Sequence, residues 1–136
     1  MRFQAHLNFN GQCEEAFQFY SKVLGGNVLM MMPFEGSPMA DEVPPAWRKK
    51  ILHATIQVGD QIVMGADASP ERYQKPQGFS VSIDLADPAE AERIFQALSA
   101  NAQVQMPLQE TFWAQRFGML TDRYGTPWMV NCGKAA

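Results

Sequence analysis

Two histidines, His6 and His53, are the only imidazoles in this chain of 136 residues. Each lies in a segment that alternates polar and apolar side chains, FQAHLNF (3–9) and KILHATIQV (50–58). Alternation sends successive side chains to opposite faces of a strand. With Phe3, Ala5, Leu7 and Phe9 on the buried face, Gln4, His6 and Asn8 share the other. In the later segment the partly polar set is His53, Thr55 and Gln57. An imidazole titrates near neutrality, so on a concave wall it suits acid–base work or a polar contact to a ligand. His53 is therefore the candidate catalytic residue, and His6, Asn8, His53 and Gln57 are candidate ligand contacts. The structural alternative for each histidine is a half-buried ring hydrogen-bonded to a neighbouring strand. A one-residue slip in register would reverse the faces.

The segment ETFWAQRFG (110–118) places Phe112, Trp113 and Arg116 at the mouth of a strand. Guanidinium groups pair with carboxylate or phosphonate, which adds Trp113 and Arg116 to the ligand contacts. The alternative for Arg116 is a structural pair with Asp122 or Glu110. Nine methionines, with the run Met30, Met31 and Met32, suit an adaptable apolar pocket, a core or a dimer interface. The proline-rich segment EGSPMADEVPPAWRKK (35–50) is long for a connection, and such loops serve as lids or interface arms. In either role Trp47 closes over a ligand or docks on a partner chain. Cys13 sits at a helix start, which lowers a thiol pKa, beside Glu14 and Glu15, which raise it. Asp122, Gly125 and Thr126 read as turn chemistry. The sequence carries no Ser-His-Asp pattern, P-loop or dinucleotide-binding glycine fingerprint.

These residues need elements to position them, and the elements come in two similar sets. In NFNGQCEEAFQFYSKVLGG (8–26), Ala16, Phe17, Tyr20, Val23 and Leu24 recur at helical spacing, and Gly25 and Gly26 end the helix. In DPAEAERIFQALSAN (87–101), Asp87 is an N-cap, Pro88 suits the first turn and Glu90 completes a capping box. Ala91, Ile94, Phe95 and Leu98 form that helix's apolar face. A shift of 76 positions lays the helix at 12–24 onto the one at 88–100. An alternating segment precedes each helix, with Ser80, Ser82 and Asp84 as the second polar set. Strand-like runs follow at 27–34, 50–58 and 61–67, and again at 102–108, 116–122 and 127–131. The expectation is an α+β fold of two βαβββ modules forming a cupped mixed sheet. Module one is 1–67, the linker 68–77 and module two 78–136.

A formal charge of −3 argues against a broad nucleic-acid or anionic-membrane surface. No apolar run approaches the roughly 20 residues that span a bilayer. The opening MRFQAHLNF lacks the apolar core of a signal peptide. Two cysteines make no disulfide framework, so a reduced, cytoplasmic setting is expected.

The paired modules resemble the vicinal oxygen chelate superfamily, which includes glyoxalase I, bleomycin- and fosfomycin-resistance proteins and extradiol dioxygenases. Within it they are most similar to the PhnB-like subgroup. The matching pieces are HLNFNGQCEEAFQFYSKVLGG, ILHATIQVGDQIVMGAD and FWAQRFGMLTDRYGTPWMV, which cover most of the chain in order. The resemblance implies a glyoxalase/bleomycin-resistance-like fold, a homodimer and, in many members, a divalent metal on the concave sheet. Carried across, the later ligand positions fall on His53 and Met129, related by the same shift of 76, and the first-strand positions near Gln4 and Ser80. Met129 thereby joins the ligand contacts. Members with a metal carry His or Glu at such positions; here they read His, Gln, Ser and Met, with His6 two residues along. A catalytic divalent ion wants about three strong protein ligands, and methionine is a soft ligand suited to copper(I). No metal or other cofactor is therefore expected.

The function expected is metal-independent binding of a small organic molecule in a concave cavity. The alternatives are a divalent-metal-dependent lyase or dioxygenase of the glyoxalase class, and a non-metal lyase or isomerase with His53 as general base. Some relatives carry a ubiquinone-methyltransferase label, yet no glycine-rich turn suited to S-adenosylmethionine is present.

Overall fold

The computed structural model describes residues 1–134. The chain divides into two compact units, Met1–Lys75 and Pro76–Ala136. In the first, β1 (His6–Phe9) leads into α1 (Cys13–Leu24), followed by β2 (Asn27–Pro33), β3 (Ile51–Val58) and β4 (Gln61–Asp67). The second repeats the order with β5 (Val81–Leu85), α2 (Pro88–Leu98), β6 (Gln103–Gln109), β7 (Ala114–Thr121) and β8 (Pro127–Gly133). Each unit is thus one βαβββ module with a four-stranded mixed sheet, ordered β1-β4-β3-β2 and β5-β8-β7-β6. In each, the strand before the helix pairs in parallel with the last strand, and the other pairs are antiparallel. Among the described residues no helix is long and apolar enough to cross a membrane.

The helices form where their apolar stripes find a sheet to cover. Cys13, Ala16, Phe17, Tyr20 and Val23 of α1 are buried, and Phe17 meets Phe9 of β1 edge-on at 5.7 Å. Gly65 of β4 makes room for that packing: a Cβ there would lie 2.6 Å from the Phe17 ring. In the second unit α2 buries Ala91, Ile94, Phe95 and Leu98, and Gly118 of β7 plays the part of Gly65 beneath Phe95. Gly25 ends α1 in the left-handed conformation, φ 71°.

The first strands are shorter than their alternation implied. β1 begins at His6 and β5 at Val81, so Gln4 and Ser80 precede the strands, and Phe3 and Phe79 are exposed. At α2, Asp87 accepts the Ala89 N–H at 3.0 Å, while the Glu90 carboxylate turns to Arg93, one turn on. The competing cation draws Glu90 out of the expected capping box, and the pairing lowers its pKa and raises that of Arg93.

Strand pairing also corrects the constant shift of 76. It holds from β1 through β2, where Met30 maps to Met106, because Leu7↔Gly65↔Ala54 in one sheet matches Ile83↔Val130↔Gly118 in the other. It fails beyond β2, since 34–50 of the first module has only 110–113 as its counterpart. The partner of Met129 is therefore Met64, and the partner of His53 is Phe117.

Candidate functional site

The face of the first sheet turned away from α1 is built by β1, β4, β3 and β2. Buried Ala54, Ile56, Gly65, Leu7 and Phe9 occupy the helix side, which leaves the other set of each strand free. Register fixes the rows on this open face. One row runs His6, Met64, Thr55 and Met30 across the four strands. The next carries Asn8 beside Ala66 and His53 beside Met32, and a third includes Gln57 between Ile62 and Asn27.

The two imidazoles lean toward one another over β4. Their centroids are 6.3 Å apart with the planes at 31°. Thr55 Oγ1 lies 3.2 Å from His53 Nε2, which fixes the orientation of that ring. The pKa of His6 is lowered, first by burial, then by the His53 charge, against a raising hydrogen bond to its own backbone. His6 is thus held in the neutral form, an acceptor of protons or cations.

Beyond Asn8 and Ala66 the arm 34–50 and the segment 67–72 border a half-open cavity of about 240 Å³. The arm closes at its base through Phe34 N–H to Lys50 O (3.0 Å) and Glu35 N–H to Arg48 O (2.7 Å). Phe34, Met39 and Val43 supply an apolar wall, Asn8 and Ala66 the sheet side, and Glu42 and Arg72 bring charge. The Trp47 ring packs on the Asn10-Gly11 turn, close enough that a Cβ on Gly11 would lie 3.1 Å from it.

Asp67, which the sequence did not single out, ties this site together. It is 3 % exposed, and its Oδ1 accepts the N–H groups of Gly11 (2.9 Å) and Cys13 (3.0 Å), its Oδ2 that of Ile51 (2.9 Å). The available signal was Gln12, a residue that makes no side-chain cap at the start of α1.

In the second unit Met129 stands on the open face in the row Ser82, Met129, Met119 and Met106. Trp113 precedes β7 and meets Phe117 at 5.3 Å and Phe112 at 4.8 Å. Arg116 shares its strand parity with buried Ala114, Gly118 and Leu120, and pairs with Glu92 of α2 at 3.0 Å rather than with Asp122 or Glu110. Asp122 is turn chemistry, with its carboxylate taking the N–H groups of Tyr124 and Thr126 and the Trp128 indole.

A model of the 3-demethylubiquinone-9 3-methyltransferase family matches residues 1–131. The chain belongs to that family. It is 33% identical to Protein YjdN of Escherichia coli (strain K12), over 98% of this chain and 97% of the relative. The solved structure of protein PA1353 from Pseudomonas aeruginosa superposes with a TM-score of 0.90 at 45% identity, covering 99% of each chain. A putative 3-demethylubiquinone-9 3-methyltransferase, PhnB protein, from Bacillus cereus has a TM-score of 0.82 at 23% identity, over 98% of this chain and 100% of that one. The fold is of the glyoxalase/bleomycin-resistance type.

The divalent ion that the sequence resemblance implies does not fit the donors of this chain. The described residues hold no converging group of three or more His, Cys, Asp or Glu. The open face of the first sheet offers two imidazoles and thioethers without a carboxylate, and in the second unit Ser82 stands where His6 stands in the first. A borderline divalent ion wants a third strong, charge-neutralising ligand.

Proposed function

We propose that the protein binds a small organic molecule without a divalent metal, in the first module, between the arm and the open face of the sheet. The observation that carries this reading is the cavity of about 240 Å³, apolar on the arm side and floored by Asn8 and Ala66, the strand neighbours of the imidazole row. Such a mixture of apolar wall and few polar groups is what small-molecule sites use to gain affinity and orientation. The volume is below the roughly 300 Å³ at which drug-sized pockets begin. A compact ligand suits it better than a nucleoside-containing methyl donor, despite the activity in the family's description.

In this reading Asn8 and Ser69 supply the polar contacts and Glu42 and Arg72 the charged ones, while His6 and His53 stand beside them on the open face, outside the lining. Gln57 lies one row further, and Arg116 contributes nothing, its guanidinium being engaged on α2. The test is a thermal-shift screen of compact, mainly apolar molecules bearing one hydrogen-bonding or anionic group, run with a chelator throughout. Hits should stabilise the protein with or without chelator and lose their effect in Asn8→Ala and Arg72→Ala. Stabilisation that vanishes with the chelator, or survives in both variants, would overturn the reading.

A further inference from the structure

We propose that the open face of the first sheet is a site for a soft monovalent metal ion, copper(I), held by His6, His53 and Met64. The misfit toward a divalent ion is what leads there. Two imidazoles and a thioether, with no carboxylate or thiolate, are a poor set for zinc, which needs more charge, but a good set for copper(I), which accepts two or three soft or borderline uncharged ligands.

The geometry agrees. Metal–imidazole bonds of about 2.0 Å, with ~1.1 Å from each ring nitrogen to its centroid, put the centroids roughly 6 Å apart when the two nitrogens face each other across the ion and the thioether approaches from the side. The observed separation of His6 and His53 is 6.3 Å. Met64 pairs in register with His6 on one side and Thr55 on the other, so its side chain rises from the strand over which the imidazoles converge. Met30 ends the same row and Met32 lies beside His53, which surrounds the pair with flexible, polarisable sulfur.

In the tautomer whose Nε2–H donates to Thr55 Oγ1, 3.2 Å away, the Nδ1 lone pair of His53 is left for the ion. The His6 ring hydrogen-bonds its own backbone, which leaves its second nitrogen free, and burial keeps the ring unprotonated. Competing thiols are set aside by the fold. Cys13 and Cys132 are both fully buried, and burial, Asp67 and Glu14 hold the Cys13 thiol protonated. The corresponding row of the second unit keeps the sulfur, Met106, Met119 and Met129, but has Ser82 in place of the histidine. The site is therefore assigned to the first unit.

The site does not depend on the organic ligand, since the chelator-treated protein tests that reading alone. The experiment here is an anaerobic titration of untagged protein with copper(I) against a chromophoric copper(I) chelator. Silver(I) serves as the redox-inert probe for NMR of the imidazole and methionine methyl signals. About one equivalent per chain should be withdrawn from the chelator, with shifts at His6, His53 and Met64. His6→Gln and the volume-conserving Met64→Leu should each weaken binding by roughly tenfold or more, since even outer-shell changes cost that much. Failure to compete with the chelator overturns the proposal. So does unchanged affinity in both variants, the result that binding at the cysteines would give. Weakening in His6→Gln with none in Met64→Leu removes the thioether and with it the soft-ion assignment.

Discussion

Asp67 reaches Cys13 from 54 positions away, its Oδ1 accepting the Cys13 N–H at 3.0 Å at the start of α1. One carboxylate thereby replaces the N-cap that Gln12 does not provide and adds negative charge at the positive end of the helix. It also holds the turn after β1 through Gly11 and the start of β3 through Ile51. Those are the strands that carry His6, Asn8 and His53. The polar face therefore depends on a buried carboxylate at the end of β4, which lines the cavity together with Asn8 and Ala66.

Asp67→Asn tests that dependence. The amide keeps one acceptor oxygen and turns an N–H₂ toward a buried backbone donor. An unmet buried donor costs about 1–3 kcal/mol. Urea denaturation should show a lower midpoint at unchanged slope. A loss within about 0.5 kcal/mol, the range of ordinary surface changes, would mean that the backbone donors find other partners.

The same contact silences Cys13. Burial first, then the Asp67 and Glu14 charges, push its pKa far up. At about pH 8, where an ordinary thiol is partly ionised, the folded protein should resist alkylation at Cys13, and unfolding should release the reactivity. Rapid labelling of Cys13 in the native protein, located by peptide mapping, would contradict the buried contact.

What was legible in the sequence follows from which signals are local. Alternation placed His6, Asn8, His53 and Gln57 on one face, and helical spacing found the buried stripes of α1 and α2. The shift of 76 is a local signal too, and it broke where the arm 34–50 adds residues the second module lacks. That is why Met129 was aligned with His53 instead of Met64. Met64 itself reads as an apolar strand residue, so its place beside the imidazoles needed the register. Asp67 was hidden because its partners lie across the unit. Arg116 was ambiguous because Ala114 and Gly118, which share its parity, are too small to mark the buried face.

Arg116→Ala gives a second check on that face. Its pair with Glu92 is partly solvated, with side-chain exposures of 36% and 57%. Such pairs contribute about 0.2–1 kcal/mol. The variant should lose no more than that in stability and should bind every thermal-shift hit like the parent protein. Loss of ligand binding without loss of stability would return Arg116 to the site.

The pKa of His6 makes acid stability the last test. The folded value lies below the ordinary histidine value of 6.5, so on acidification the unfolded chain takes up its proton first. With more protons bound to the unfolded state, stability falls as pH drops through 6.5 and levels off once the lowered folded value is passed. Above that window His6 makes no pH-dependent contribution. In His6→Gln the fall across the window should be shallower, while the carboxylate-driven loss at lower pH remains. Urea midpoints measured at a series of pH values for both proteins give the two slopes. Equal slopes would mean that the His6 imidazole titrates as it does in the unfolded chain, and that neither burial nor His53 holds it neutral.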